Sequence, residues 1–413
     1  MLSDLRFGIT KIEPINLILL EDSVVKIAVI KEHLVGETRV ALLPANVAKL
    51  AKAGCEVTIE TQAGFEAGFT DQDYLDSGAR IGADRAQTIE GAELVLTLHA
   101  KGEEFDQLLK DLKSGQTLMG MMDPLMHPES AQKAAELGIN TVALELIPRI
   151  TRAQSMDVLS SNATIAGYKS VIQAAELTPR LLPMMMTAAG TLKPARTFIM
   201  GAGVAGLQAC ATAKRLGAVV EAYDIRPAAR EQILSVGARP VELEIEDADT
   251  ESSGGYAKEQ SAEFIAKQQQ AMANVLAQQD IVITTAAIPG RKAPTLITKE
   301  MVAQMKPGSV IVDLAAETGG NCELTQLGEV INVNGVIISG PANIVASTAN
   351  HGSQMFGTNL ENLIRHLIDD EGKLVFDFED EIVHDTVTAY QGEVVNPRIR
   401  DLLGLNAEVK EEA

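Results

Sequence analysis

The strongest constraint on the fold is the stretch from Arg196 to Arg226, which contains Gly-Ala-Gly-Val-Ala-Gly at 201–206. A short apolar run, Thr197 to Met200, precedes the glycines and predicts a buried strand, and a helix with apolar periodicity follows them. A second apolar run, Val219 to Tyr223, ends in Asp224. This order predicts a βαβ unit whose turn carries a complete G-x-G-x-x-G pattern.

Each glycine of this pattern has its own steric reason. Gly201 allows the tight turn from strand to helix, Gly203 lets the backbone approach a pyrophosphate, and Gly206 lets helix and strand pack closely. The helix N-terminus offers free N–H groups and the positive end of its dipole to the phosphates. We therefore predict that the whole loop binds a dinucleotide, through Gly201, Ala202, Gly203, Val204, Ala205 and Gly206.

The residue that ends the second strand predicts which dinucleotide binds. Asp224 can accept hydrogen bonds from a ribose 2′-hydroxyl, whereas a 2′-phosphate would face the carboxylate with like charge. NAD(H) is therefore favoured over NADP(H), although Arg226 would weaken the preference if its side chain pointed inward. We assign Ile225 and Ala287 to the same site. The alternative is an ordinary βαβ unit with small residues in its turn.

The composition of the 413-residue chain disfavours several other classes of function. A net charge of −21 makes nucleic acid and anionic membrane surfaces unfavourable ligands. No apolar run approaches the roughly 18 residues that cross a bilayer, so we expect no direct membrane insertion. Cys55, Cys210 and Cys322 lie far apart without metal-binding spacing, which predicts core thiols, a reducing compartment and no metal site.

Strands that alternate with helices predict an α/β fold of two Rossmann-like domains, each with a doubly wound parallel sheet, joined by a linking helix. We place the first domain at 25–165 plus 348–403 and the NAD(H)-binding domain at 166–347. Residues 1–24 are an extension of unknown structure, and 404–413 are a charged tail.

Three segments are expected to form the connections between the domains. Thr141 to Leu146 is predicted as the last strand before the crossing. Residues from about Tyr168 to Met186 are predicted as the linking helix, with methionines that pack in a core. Asn350 to about Ile368 is predicted as a helix that packs back on the first domain.

The acidic segment 244–259 interrupts the alternating pattern inside the nucleotide domain. Its composition favours a solvated, disordered insertion. The functional alternative is a lid, in which Gly254 and Gly255 act as a hinge and Tyr256 covers a ligand.

Several stretches spread over the chain carry a family resemblance. They are Lys31-Glu32 with 36–42, the run RITRAQSMDVLSS at 149–161, the glycine loop with 223–227, and residues 254–257, 288–291 and 312–321. Together they resemble the NAD(H)-binding subunit, or domain I, of Re/Si-specific, proton-translocating NAD(P) transhydrogenase, of which alanine dehydrogenase is a relative. The resemblance covers about Val25 to Leu403, whereas 341–346 and 348–352 depart from the family pattern.

The resemblance implies that NAD(H) binds to this chain and NADP(H) to a separate component. Hydride would pass directly between the two nicotinamides, while a membrane-spanning component couples the transfer to proton translocation. Arg149, Asp157 and Ser160 would position the nicotinamide of NAD(H), and Gln154 would reach towards NADP(H). The alternative is that Gln154 and Ser160 only cap the loop between the domains. The family's mobile loop matches the Tyr256 segment, which favours the lid over disorder.

Direct hydride transfer needs no general acid or base, because no proton moves to a substrate heteroatom. Alanine dehydrogenase, in contrast, uses a lysine and a histidine at its substrate site. The corresponding stretches here are Leu98-His99-Ala100 and residues 119–123, so we expect the lysine and histidine pair to be absent. His99 speaks against this expectation, because a histidine there could titrate near neutrality. Two alternatives stay open: an NAD-dependent amino-acid dehydrogenase, and an NAD-sensing or scaffolding protein without turnover.

The resemblance also implies an assembly. Family members are homodimers with their nucleotide domains in contact, and they work with NADP(H)-binding and membrane-spanning components. We therefore expect a cytoplasmic chain, held peripherally at the cytoplasmic face of the inner membrane through its partners. The chain carries no membrane helices before its last residue, Ala413, and so resembles the split form of the enzyme.

Overall fold

The structure, a computed structural model, describes residues 24–242 and 270–405 of the chain. Strands and helices alternate along most of these residues. The strands are β1 Lys26–Val29, β2 Glu56–Glu60, β3 Arg80–Gly82, β4 Leu94–His99, β5 Thr117–Met121, β6 Asn140–Ala143, β7 Met185–Thr187, β8 Gly190–Leu192, β9 Arg196–Met200, β10 Val219–Tyr223, β11 Arg239–Pro240, β12 Ile281–Thr284, β13 Val310–Asp313, β14 Val330–Val333, β15 Val336–Ser339, β16 Val387–Tyr390 and β17 Glu393–Val394.

The helices fill most of the connections between these strands. They are α1 Pro44–Lys52, α2 Asp71–Asp76, α3 Arg85–Ile89, α4 Gly102–Asp111, α5 Glu129–Glu136, α6 Val158–Leu177, α7 Val204–Arg215, α8 Ala229–Ser235, α9 with its described residues at 270–276, α10 Lys299–Ala303, α11 Ala349–His366, α12 Glu381–Thr386 and α13 Pro397–Leu402. Short 3-10 helices lie at Leu144–Leu146, Thr151–Met156, Ala316–Thr318 and Ile344–Thr348.

Two doubly wound sheets organise the molecule, which confirms the predicted fold class. The first sheet has the order β3-β2-β1-β4-β5-β6-β16-β17, and the second has the order β11-β10-β9-β12-β13-β15-β14. Both are parallel except at one edge, where β16, β17 and β14 run antiparallel to their neighbours. The strand order reverses between β1 and β4 and between β9 and β12. Sheets of this kind bind ligands outside the carboxyl ends of the strands at that point.

Apolar side chains cover both faces of each sheet. The central strands β12 and β13 are buried over their full length, as expected for strands with helices on both sides. Cys55, Cys210 and Cys322 are buried and unpaired, which agrees with their prediction as core thiols.

Two long helices connect the sheets. Helix α6 leaves the first sheet and packs on α7 of the second, and it also contacts α11. Helix α11 returns the chain and buries Phe356, Leu360, Leu363 and Ile364 in the core of the first sheet, as predicted. Among the described residues, no helix combines the length and apolar character needed to span a membrane.

The predicted position of the linking helix is wrong. Helix α6 begins at Val158 and ends at Leu177, before Pro179 and Pro183. Proline lacks an N–H group and clashes with the preceding turn, so the helix cannot continue through these positions. The methionines that follow do not pack in a core; they lie in an antiparallel hairpin of β7 and β8, and Met186 is 78% exposed.

The strand predicted at Thr141 to Leu146 is also too long. Only Asn140–Ala143 pairs in the sheet, and Leu144–Leu146 form a 3-10 turn. The apolar run continues through the turn because Leu144 and Leu146 are still buried. The buried residues of the strand and of the turn that follows it form one continuous apolar run, so the sequence does not show where the strand ends.

Candidate functional site

The glycine loop lies at the end of β9, next to the point where the strand order of the second sheet reverses. Gly201 has a φ of +99°, which favours glycine, and its N–H donates to the Tyr223 carbonyl at 2.8 Å. A Cβ atom on Gly206 would lie 1.8 Å from the Gly201 carbonyl oxygen, whereas one on Gly203 would meet nothing within 4 Å. These surroundings agree with the steric roles predicted for Gly201 and Gly206, whereas the role predicted for Gly203 concerns a ligand and stays a prediction.

Helix α7 starts inside this loop, with Gly203 as its N-cap. The first N–H groups of a helix have no partner within it, so those after Gly203 can bind an anion. Thr285, which follows β12, donates through its hydroxyl to the Gly201 carbonyl at 3.1 Å and fixes the loop against the neighbouring strand. The loop is therefore held in one conformation on the sheet.

Asp224 is already bonded on both of its carboxylate oxygens. Oδ2 accepts from the Ala202 N–H at 2.7 Å and from Arg226 Nη2 at 3.0 Å. Oδ1 accepts from the Arg226 backbone N–H and Nε, both at 2.9 Å. The Arg226 side chain thus points inward, and a ribose hydroxyl must compete with it for Asp224.

A buried network fixes the chain next to the predicted contact residue Ala287. The Asn321 side chain accepts from the Ala286 N–H at 3.0 Å and donates to the Ala286 carbonyl at 2.8 Å. Asp313, which is fully buried, accepts from the Asn321 N–H at 2.8 Å and from the Thr325 hydroxyl at 2.6 Å. No role was predicted for Asp313 or Asn321 from the sequence. The available signal was an acid at the end of an apolar strand, followed by two glycines and an asparagine.

The other predicted residues lie where the chain leaves the first sheet. Asp157 is the N-cap of α6, and its carboxylate accepts from the Ser160 N–H at 2.9 Å and from the Ser160 hydroxyl at 2.5 Å. Asp157 and Ser160 therefore cap the helix, and Asp157 retains acceptor capacity beyond these two bonds. Gln154 and Arg149 are exposed.

Helix α6 connects this pair to the glycine loop. A Cβ atom on Gly167 would lie 2.1 Å from the Ala205 carbonyl oxygen, so the helix and the loop are in backbone contact. Ser160 and Gly167 are seven positions apart, which corresponds to roughly 10 Å along the helix axis. One helix thus brings together the two groups of residues that the sequence predicted separately.

A charged cluster between the two sheets was not predicted. Arg39 and Glu37 form a buried ion pair with a shortest distance of 2.6 Å. His99 Nε2 lies 3.1 Å from Glu37 Oε2, and Asn343 donates to the same oxygen at 2.7 Å. Although burial opposes ionisation, hydrogen bonds from Arg39 and His99 hold the pKa of Glu37 well below its usual range. Burial lowers the pKa of His99, so its neutral form is favoured.

Two half-buried glutamates lie at the carboxyl edge of the first sheet. Glu32 accepts from the Thr97 hydroxyl at 2.8 Å and from the Leu98 N–H at 2.6 Å. Glu145 accepts from the Met122 N–H at 2.7 Å. Burial raises the pKa of each carboxyl to about 7, against the effect of these hydrogen bonds.

Two further segments were singled out in the sequence, and the structure describes only the second. Gly255 and Tyr256, and with them the predicted lid, lie outside the described residues. Residues 346–351, most of which belong to the stretches that depart from the family pattern, line a cavity of about 440 Å³ together with Thr38 and Glu66.

Both halves of the chain match known protein families. The family description "Alanine dehydrogenase/PNT, N-terminal domain" matches residues 28–166, and "Alanine dehydrogenase/PNT, C-terminal domain" matches residues 170–397. The chain is 45% identical to an NAD(P) transhydrogenase subunit alpha protein of Rhodospirillum rubrum, over 91% of this chain and 98% of that protein. It is 30% identical to alanine dehydrogenase of Bacillus subtilis, over 72% of each chain.

The fold is also similar to that of a solved structure. The crystal structure of transhydrogenase from Sinorhizobium meliloti superposes with a TM-score of 0.80 at 44% identity, covering 90% of this chain and 100% of that one. The sequence and the fold therefore indicate the same relatives.

Proposed function

Because the chain belongs to the alanine dehydrogenase/PNT family and is a homologue of NAD(P) transhydrogenase alpha subunits, we propose that it binds NAD(H) and exchanges hydride with NADP(H) on a partner component. The observation that carries the proposal is the contact of α6 with the glycine loop. This contact supports a site in which the glycine loop would hold the phosphates and the Asp157–Ser160 pair would lie near the other end of one extended dinucleotide. The nicotinamide end would then lie beside the exposed Gln154.

The residues of the site suit a reaction that depends on positioning. Bound NAD(H) supplies the carbon that gives or takes the hydride, and no proton must move to a heteroatom. The glycine loop would hold the phosphates and Asp224 the adenosine ribose. Arg149, Asp157 and Ser160 would orient the nicotinamide, and Gln154 would face the NADP(H) of the partner. Proper orientation of two reactants can supply a large share of a rate enhancement.

The charged cluster between the two sheets offers little support for the amino-acid dehydrogenase alternative. An oxoacid substrate would need a cation for its carboxylate and a group that donates a proton. Arg39 is the buried cation between the sheets, but Glu37 holds it through two hydrogen bonds of 2.7 and 2.6 Å. His99 Nε2 contacts the same carboxylate at 3.1 Å. Both groups are therefore committed to the cluster.

The first experiment compares two activities of the purified chain. One assay adds NADH, the NADP(H)-binding component of a transhydrogenase and NADP⁺, and the other adds NADH, pyruvate and ammonia. The proposal predicts turnover in the first assay and none in the second. Turnover in the second would favour the dehydrogenase, and NADH binding without turnover in either would favour an NAD-sensing protein.

We extend the proposal to the assembly. Met184, Met186 and Leu192, which lie in or next to the hairpin of β7 and β8, are 61%, 78% and 49% exposed, in the part of the chain assigned to the nucleotide domain. Exposed apolar surface of this kind is typical of interfaces between subunits. This supports a homodimer that contacts through its nucleotide domains. The relatives are named as alpha subunits, which supports partner components, and we propose that these bind NADP(H), span the membrane and hold the chain at the cytoplasmic face of the inner membrane.

Sedimentation at micromolar concentration tests the dimer. The expected species is a dimer, and replacing Met184 and Met186 by Ser should shift it towards monomer. The matched control replaces Leu327, an apolar residue with 54% exposure outside the hairpin. A monomeric wild-type chain would contradict the homodimer.

A further inference from the structure

The 3-10 segment Thr151–Met156, which carries Gln154, is bonded to side chains far away in the sequence. The Ser155 carbonyl accepts from Asn359 Nδ2 at 2.8 Å and from Asn362 Nδ2 at 3.0 Å. Both asparagines belong to α11, and residues three apart lie on the same face of a helix. One backbone carbonyl, next to Gln154, is thus held by two donors.

A second attachment lies on the other side of Gln154. Arg152 Nη1 donates to Asp380 Oδ2 at 2.9 Å, and His366 Nε2 contacts the same oxygen at 2.9 Å. The second Asp380 oxygen accepts from the Ile382 N–H at 2.7 Å and caps α12. The hydrogen bond from Arg152 is the largest cause that lowers the pKa of Asp380, to about 2.

The segment depends on such external bonds. A 3-10 helix has poorer hydrogen-bond geometry than an α-helix, so its own bonds define its position weakly. Ala153 and Met156 are buried in the core of the first sheet, whereas Gln154 and Ser155 are exposed. The two buried side chains anchor the segment in the core. The hydrogen bonds of the Arg152 side chain and of the Ser155 carbonyl fix how its exposed residues are oriented on the surface.

We propose that Asn359, Asn362 and Asp380 are positioning residues that hold Gln154 at the distance hydride transfer requires. They touch neither cofactor in the proposed arrangement, and they act through the residues at 152 and 155. The inference rests on the proposed function, because it gives these residues a role in the same reaction. A displacement of about 1 Å at such a point can cost on the order of 10²-fold in rate.

The test uses two variants that preserve the core. Asn362→Ala removes one donor to Ser155 from a half-buried position. Asp380→Asn removes the charge and leaves one acceptor oxygen, which can still cap α12, while an NH2 group replaces the oxygen that accepts from Arg152. Gln354→Ala, at an exposed position of α11, is the control for the first variant. Asp106→Asn, in an exposed ion pair with Lys133, is the control for the second.

Three quantities are measured for each protein: the single-turnover hydride rate with the NADP(H)-binding component of a transhydrogenase, the Kd for NADH and the melting temperature. We expect each site variant to lose about 10-fold in rate and the double variant about 100-fold, with NADH affinity within about 2-fold of wild type. The controls should match wild type in all three quantities. A structural role alone would instead lower the melting temperature and the NADH affinity together with the rate, and this pattern would overturn the inference.

The outcomes separate this inference from the function on which it rests. If wild type transfers hydride and the double variant does so equally fast, the positioning role is wrong and the proposed function stands. If wild type binds NADH but transfers no hydride to the partner, the proposed function is wrong, and the positioning role falls with it.

Discussion

Cofactor choice depends on the contact between Arg226 and Asp224. Arg226 occupies three of the four acceptor positions of the carboxylate, through its backbone N–H, Nε and Nη2, and the Ala202 N–H occupies the fourth. A ribose 2′-hydroxyl can bond to Asp224 only by replacing one of these donors. The side-chain donors of Arg226 are the ones that can move away.

Arg226→Ala should therefore strengthen NADH binding and weaken NADPH binding. NADH no longer competes with the guanidinium, whereas the 2′-phosphate of NADPH loses a nearby cation and still faces the carboxylate. A hydrogen bond to a charged group contributes about 1.5–3 kcal/mol. The side chains are 17% and 7% exposed, so solvent screening is limited, and the NADH preference should rise roughly 10-fold to 100-fold.

Asp224→Ala should have the opposite effect. It removes the acceptor for the ribose and the charge that repels a 2′-phosphate, so NADH affinity and its preference over NADPH should both fall, the affinity by roughly 1.5–3 kcal/mol. The assay is equilibrium titration followed by nicotinamide fluorescence, with Arg215→Ala, at an exposed site in the last turn of α7, as control. Unchanged NADH affinity in Asp224→Ala would show that the carboxylate does not bind the ribose, and weaker NADH binding in Arg226→Ala would show that Arg226 does not compete with it.

Four other predictions follow from single residues. Gly206→Ala puts a Cβ atom 1.8 Å from the Gly201 carbonyl, so it should reduce unfolding free energy by about 1–3 kcal/mol in denaturant titrations. Gly203→Ala, with no atom within 4 Å, should weaken NADH binding without a change in stability. Gln154→Asn, which shortens the reach by one methylene, should reduce the single-turnover rate with the partner on the order of 10²-fold and leave NADH affinity nearly unchanged; comparable losses in both would contradict the bridging role. Because burial raises the pKa of Glu32 to about 7, above its unfolded value of 4.5, its contribution to stability should be full below pH 4.5 and lost as pH rises through 7. Glu32→Gln should remove this loss of unfolding free energy between about pH 5 and 8. The same pH dependence in wild type and Glu32→Gln would contradict the raised pKa of Glu32.

The regions of the fold that depend on local patterns were predictable from the sequence. The βαβ unit around Gly201 joins a strand, a turn that needs glycine and an amphipathic helix, and each element constrains the next. The Met-rich stretch was mispredicted because apolar character alone does not distinguish a helix from an exposed hairpin. Pro179 and Pro183 carried the missing signal.

The features that depend on distant contacts were not predictable from one sequence. The bond from Asn359 to Ser155 joins residues 204 positions apart. Such contacts are set by how the helices pack on the sheets, and the residue types alone do not contain that information.

We propose that hydride passes directly from NADH on this chain to NADP⁺ on a partner component. NADH with deuterium at the transferable position of C4 is mixed with the chain and the NADP(H)-binding component carrying NADP⁺, in ordinary water. Direct transfer predicts that the deuterium appears in NADPH without loss to the solvent, because no protein group takes up the hydrogen on the way. Unlabelled NADPH, or NADH that stays unoxidised until pyruvate and ammonia are added, would contradict it.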